Sequence, residues 1–276
     1  MNKLGIMLGR LSPQIGEAVQ AFPVESWRAE FALAQKTGFE IIEWVIDYSS
    51  VDQNPIFLES GRSEIKRLCK DHNILVPSVC CDYFMEVPFF SEYLKIRNQA
   101  VGMLWEIISV SKKIGITQIE LPMIGDCTLD TPEKISYFSK LVDSLSGFLK
   151  GNGVELLLEL SLGPEDLLEI LPYFSIDVVK VNYDMGNSAY WSHDAEEELN
   201  LYGDRIANIH IKDCTPQDYS VPLGEGNVNF DLIFKKLKEL GYDKDFILQT
   251  CRGDNDVDLA KTFKLFSQTL IEKYLT

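Results

Sequence analysis

Basic residues are scarce in this chain. Against 42 Asp and Glu it sets 26 Lys and Arg, for a formal net charge of −16 over 276 residues. A surface of that sign repels a phosphate backbone, which argues against nucleic acid and anionic membrane as partners. It leaves room for a small anionic ligand held by a few local cations. The six cysteines (Cys69, Cys80, Cys81, Cys127, Cys214 and Cys251) include no C-x-x-C pair, and two of them are adjacent. Free thiols in a reducing compartment are expected, rather than a disulfide framework or a zinc knuckle. No apolar run approaches the length that spans a bilayer. The first residues, Met1 to Met7, lack the apolar run and small-residue cleavage site of a signal peptide, so the expected location is cytoplasmic. Gly5-Ile6-Met7-Leu8-Gly9-Arg10 is a poor match to G-x-G-x-x-G, which counts against a doubly wound dinucleotide-binding sheet.

What the chain does have is regular alternation. Hydrophobic content of 46% and charged content of 25% suit a soluble globular protein. Strand patterns are read at Lys3–Leu8, Phe39–Ile46, Ile74–Cys81, Ile116–Leu121, Val154–Leu160, Asp177–Asp184, Arg205–Lys212 and Asp245–Thr250. Between and after them, helix patterns are read at Glu25–Lys36, Ser63–His72, Glu92–Ile114, Thr131–Lys150, Pro164–Leu171, Ala195–Tyr202, Phe230–Leu240 and Val257–Leu275. Thr131-Pro132 is an N-cap followed by proline at the first helical position. Gly38, Gly115, Gly153 and Gly241 each fall between a helix and the next strand, where a left-handed cap is wanted. Eight strand–helix units in 276 residues predict an α/β fold, a (β/α)₈ TIM barrel in one domain, 1–276.

The seventh strand pattern carries the most information. Ile209 and Ile211 alternate with Asn208, His210 and Lys212, a period of two with one polar face. In a barrel the aliphatic face meets the outer helices and the polar face lines the lumen. Chemistry in such barrels gathers at the C-terminal ends of strands. Those ends offer Glu43 and Asp47, Asp82, Glu120, Glu159, Asp184, His210 and Gln249. Leu158 and Leu160 flank Glu159, and Leu248 and Thr250 flank Gln249, so both polar side chains face inward. An inward carboxylate is costly unless it is paired or bound to a cation. Parity therefore leaves two readings open. Glu159, Asp184 and His210 hold a divalent Mn, Mg, Co or Zn ion with positions free for substrate, or the lumen is a network of buried ion pairs with Lys180 or Lys212 neutralising the acids.

The chain also resembles the xylose isomerase-like TIM barrels that act as sugar-phosphate isomerases and epimerases, particularly the pentulose-5-phosphate 3-epimerase branch. The resemblance runs along nearly the whole chain. It is densest at Gly38-Phe39-Glu40-Ile41-Ile42-Glu43, Val76-Pro77-Ser78, Asp184-Met185-Gly186-Asn187 with Trp191 beyond, His210-Ile211-Lys212-Asp213, and Val221-Pro222-Leu223-Gly224-Glu225-Gly226 followed by Phe230. It implies one divalent metal held by Glu, Asp, His and Glu at the ends of strands five to eight, which carries over to Glu159, Asp184, His210 and, in the fourth place, Gln249. It further implies that the metal grips two adjacent oxygens of a small sugar or sugar phosphate while a carboxylate removes the intervening proton, giving a cis-enediolate. The opposite carboxylate then returns a proton to the other face. A homo-oligomer is compatible with this resemblance.

Two departures matter. Gln249 replaces a glutamate; an amide oxygen can still ligate, but an amide neither donates nor accepts a proton at neutral pH. Glu159 is then the expected sole base of the metal site, and aldose–ketose isomerisation stands level with epimerisation unless Glu43 or Glu225 takes the second role. After strand three, Phe84-Met85-Glu86 stands where the epimerase branch carries a basic run. That leaves Arg10, Lys212 and Arg252 as handles for a phosphate or carboxylate, with a surface salt bridge as the rival account of Arg252. Asn187 and Trp191 are expected near the substrate, Glu43 against a substrate hydroxyl or behind a ligand, and Glu225 near the mouth. Three other functions compete with this one. A non-catalytic sugar-binding barrel and an inosose-type dehydratase both keep the site. A DNA-repair endonuclease of the same superfamily needs a histidine-rich multi-zinc cluster, and this chain has only His72, His193 and His210.

Overall fold

In the computed structural model, which describes residues 2–276, eight parallel strands close into a barrel in chain order. They are β1 (Leu4–Met7), β2 (Ile41–Val45), β3 (Ser78–Cys80), β4 (Gln118–Met123), β5 (Glu155–Leu160), β6 (Val179–Asp184), β7 (Ile206–Ile211) and β8 (Phe246–Leu248). At least one α-helix follows every strand, and β8 pairs back on β1. This is the (β/α)₈ architecture that the alternation predicts.

The caps behave as the sequence suggests. Gly38, Gly115 and Gly153 end their helices in the left-handed region, and Gly241 has φ 67° just past the helix Phe230–Glu239. The Thr131 side chain accepts from Lys134 N while Pro132 opens its helix. Seven strands are shorter than their apolar patterns, β3 most of all, while β4 keeps its length and lies two residues later. Pro77 has no N–H to give the ladder, so Leu75 makes only an isolated bridge to Ile41 before regular pairing starts at Ser78.

The outer core explains the alternation. Trp44 on β2 turns outward and meets Trp27 of the helix Trp27–Thr37, ring centroids 5.6 Å apart, while its neighbour Glu43 turns into the lumen. Trp27 in turn packs edge-on against Phe31. The lower lumen is closed by apolar side chains at a narrow point: a Cβ on Gly5 would meet Ile247 and Ile41 within 2.8 Å. Above that plug the lumen becomes polar.

Two short helices beyond those expected, Tyr83–Glu86 and Met185–Tyr190, lie in the loops at the C-terminal mouth. The second starts on Asp184, whose side chain accepts from Asn187 N. Its Gly186 lets the turn lie directly on Lys212, since a Cβ there would stand 2.6 Å from Lys212 Cγ. Among the described residues, no helix is long and apolar enough to cross a membrane.

Candidate metal centre and active site

His210 sits on β7 at the middle of the polar lumen and is fully buried. Both ring nitrogens are engaged, each by a different part of the barrel. Nε2 lies 2.6 Å from Glu43 Oε1, so it carries a proton and donates across the lumen to β2, while Glu120 Oε2 on β4 stands 3.1 Å away without a hydrogen bond of its own. Nδ1 faces the other way. It lies 3.2 Å from Asn182 Nδ2 and 3.4 Å from Glu159 Oε2. With Nε2 committed to Glu43, Nδ1 is the nitrogen that would meet a cation, and it would give up its own proton to do so.

Glu159 is held in one plane by two amides. Asn182 Nδ2 donates to its Oε2 at 2.8 Å and Asn187 Nδ2 to its Oε1 at 2.6 Å. Burial alone would raise its pKa, but hydrogen bonding and charge from His210 override that and hold it at about 2. Glu120 goes in the opposite direction. Burial first, and then the charges of Glu159 and Glu43, push it well above the usual carboxyl range. For His210 burial works downward, and Glu120 and Glu43 outweigh it to keep the imidazole well above its ordinary value.

The fit to a cation is visible in what these residues leave unsatisfied. Ligand atoms of Glu159, Asp184 and His210 lie within 4.8 Å of one another. Asp184 Oδ2 and Gln249 Oε1 are both buried without a hydrogen-bond partner. An orphaned buried oxygen is costly, and here two of them belong to the four side chains expected as ligands. The set is one imidazole and three oxygens, chemistry that suits a divalent ion. Lys212 neutralises these acids only in part. Its Nζ is 3.7 Å from Asp184 Oδ2, while its short bond, 2.8 Å, goes to Asn187 Oδ1 and it stands 3.4 Å over the Tyr219 ring. Lys180, the other candidate counter-ion, pairs with Glu155 at the start of β5.

A cavity of about 110 Å³ opens beside this cluster. Glu159, Glu120, Asp82, Lys212, Arg10 and Gln249 form its polar walls, and Val19, Met85, Ile124 and Tyr219 its apolar ones. Arg10 is in the wall, but its guanidinium already donates to Val19 O at 2.5 Å and to Gln20 Oε1 at 3.3 Å. Trp191 lines a much smaller void next to Glu159, Asp184 and Asn187.

Glu43 takes the second of its two expected places, and Glu225 and Arg252 do not line the cavity. Glu43 is fully buried, and its carboxylate accepts from His210 and from Asn208 Nδ2 at 3.2 Å. It lies behind the imidazole and orients it, with no oxygen left for a sugar hydroxyl. Glu225 is exposed on a turn, because Asp213 collects the N–H groups of Gly224, Gly226 and Val228 and fixes the loop with Glu225 outward. Arg252 Nη1 donates to Gly9 O at 2.7 Å and to Ser12 O at 2.9 Å, its Nε donates to Val19 O, and Asp256 pairs with it at 3.2 Å. It is a clamp on the loop after β1, not a free anion handle. Sequence reasoning missed Gln20, which sits in that long aperiodic loop, and Tyr219, in the loop after β7.

The comparisons with known proteins bear on the fold and the family. The family model described as "Xylose isomerase-like TIM barrel" matches residues 31–267. The L-ribulose-5-phosphate 3-epimerase UlaE of Escherichia coli O1:K1 is 26% identical over 257 residues, covering 88% of each chain. Among solved structures, an L-ribulose 3-epimerase superposes with TM-score 0.78 at 18% identity, covering 99% of this chain and 96% of its own. An IOLI protein with a bound zinc atom superposes with TM-score 0.76 at 18% identity, covering 99% of both chains. The chain belongs to the xylose isomerase-like TIM barrel family.

Proposed function

We propose that this protein is a metal-dependent isomerase or epimerase of a ketose or ketose phosphate, with Glu159 as the base that removes the proton beside the carbonyl. The observation that carries the reading is the setting of Glu159. It is a carboxylate at the cavity wall, fixed in plane by Asn182 and Asn187 and gathered with Asp184 and His210. The names of the relatives, several of them L-ribulose-5-phosphate 3-epimerases, point to the same chemistry.

Glu159, Asp184, His210 and Gln249 would hold the divalent ion. Once bound, the ion supplies the positive charge that makes a C–H next to a carbonyl acidic enough to lose its proton. The remaining work belongs to the chain. Glu43 holds the His210 Nε2 proton and so turns Nδ1 toward Glu159. Asn187 fixes both Glu159 and Lys212, so the base and the nearest ammonium keep a constant spacing. Lys212 then stands at the cavity wall as a donor for a substrate oxygen. The apolar wall of Val19, Met85, Ile124 and Tyr219 limits water around the reacting carbon.

The test is a panel of ketoses and ketose phosphates incubated in heavy water with protein loaded with Mn²⁺, Mg²⁺, Co²⁺ or Zn²⁺. The reading expects solvent deuterium at the carbon next to the carbonyl of at least one sugar, lost in Glu159→Gln. A metal-loaded protein that exchanges no member of the panel contradicts it.

A further inference from the structure

Gln249 leaves the centre one proton-transfer group short, and the wall beside it carries a carboxyl that no step above uses. Asp82 follows β3 and lines the same cavity as Glu159. Gln20, from the loop after β1, joins it to the fourth ligand position: Gln20 Oε1 accepts from Gln249 Nε2 at 3.2 Å, and Gln20 Nε2 donates to Asp82 Oδ2 at 2.5 Å. The other Asp82 oxygen accepts from Cys80 Sγ at 3.3 Å. A single amide therefore separates the Asp82 carboxyl from the side chain at the end of β8.

We propose that Asp82 is the second proton-transfer residue of this site, so that the reaction inverts one carbon instead of passing its proton to the neighbouring carbon. The proposal rests on the reading of Glu159 as base. The Glu159 carboxylate takes the proton beside the carbonyl. The C–H bonding pair becomes the C=C bond of an enediolate, and the carbonyl π pair moves onto oxygen. Asp82, protonated, gives its proton to the same carbon from the side away from Glu159. The C=C pair forms the new C–H bond and the carbonyl returns. Glu159 ends as the acid and Asp82 as the carboxylate, and solvent exchange resets both.

The other groups of that wall are less suited. Glu120 is fully buried against His210, 3.1 Å away, and has no hydrogen bond to Gln20 or Gln249. Burial first drives the Cys80 thiol well above its ordinary range. Asp82 is intermediate in character. Burial pushes it up, the Gln20 and Cys80 hydrogen bonds and the Arg10 charge pull it down, Glu159 adds an upward push, and the balance lies at about 6. Near neutral pH both of its forms are within reach, as a residue that gives and takes a proton in alternate directions requires.

The experiment compares the metal-loaded wild type with Asp82→Asn in heavy water on the ketose panel, reading deuterium and configuration at the labelled carbon by NMR. The wild type should label and invert. Asp82→Asn should still wash deuterium into the starting sugar, through Glu159, while inversion falls about 100-fold or more. Normal inversion by Asp82→Asn overturns the Asp82 assignment alone, as does a wild type that yields only an aldose. A wild type that labels nothing overturns the Glu159 reading and the Asp82 assignment with it. Thermal melting and Co²⁺ binding show whether Asp82→Asn is folded. If it is not, Gln20→Leu serves: losing the donor should move the Asp82 limb of the pH–rate profile upward, and an unmoved limb overturns the assignment.

Discussion

Glu43 Oε1 accepts a hydrogen bond from His210 Nε2 at 2.6 Å across the lumen, joining β2 to β7 through two fully buried side chains. The bond decides which imidazole nitrogen faces Glu159 and Asp184. Glu43→Gln keeps the volume but can present its N–H to Nε2, which favours the wrong tautomer. Metal affinity should fall roughly 10- to 100-fold, the usual effect of losing a partner behind a ligating histidine. Competition against a chromophoric chelator measures this, and unchanged affinity would remove Glu43 from that role.

Gln249→Glu adds a negative charge to the expected ligand set. Metal should bind roughly tenfold more tightly, because ligand charge sets much of the affinity of an oxygen-rich site. The variant also removes the N–H that Gln249 gives Gln20, so the Gln20 amide must turn and Asp82 loses its neighbour's alignment. Calorimetric titration with Mn²⁺ follows the first effect. Unaltered affinity would place Gln249 outside the coordination shell.

Glu30 gives the fold a pH dependence separate from the metal centre. It is fully buried, accepts from Gly9 N at 2.8 Å, and is pushed by burial to about 7 from an ordinary 4.5. Between those values the folded chain keeps a proton that the unfolded chain releases. Glu30 therefore contributes its full share of stability below 4.5, and that share is lost as pH rises through about 7. The span corresponds to about 3 kcal/mol. Urea denaturation of Glu30→Gln from pH 4.5 to 8 should show a flatter profile than wild type. Parallel profiles would contradict the assignment.

Arg252→Ala should cost about 2 kcal/mol, since the carbonyls of Gly9, Ser12 and Val19 in the loop after β1 each lose a hydrogen bond and Asp256 loses its ion-pair partner. It should not change the ratio of KM values for a ketose and its phosphate. A KM that rises for the phosphate alone would restore Arg252 as an anion handle.

How far the sequence led can be judged from these same residues. His210, Glu159 and Asp184 were readable because strand parity states which way a side chain points, and aliphatic neighbours leave it one face. Parity does not state depth along the barrel axis, which is why it leaves Glu43 two places, against a substrate hydroxyl or behind a ligand, and only the barrel puts it behind the imidazole. Loops carry no period at all. Glu225 and Arg252 were placed by nearness in sequence to strand ends, whereas the Asp213 carboxylate and the carbonyls of Gly9, Ser12 and Val19 decide where they go. Gln20 lay beyond reach for the same reason. Asp82 and Glu120 were visible as polar strand ends, but only the barrel shows one beside Gln20 and the other against His210.

The position of the cation is the point on which the rest depends. His210 could serve an ion on either side, with Glu159 and Asp184 or with Glu43 and Glu120, since both trios bring their ligand atoms together. Anomalous diffraction from crystals of the Mn²⁺-loaded protein separates the two. The account predicts one peak bounded by Glu159, Asp184, Gln249 and His210 Nδ1; a peak between Glu43 and Glu120, or none in protein that exchanges a ketose proton, would contradict it.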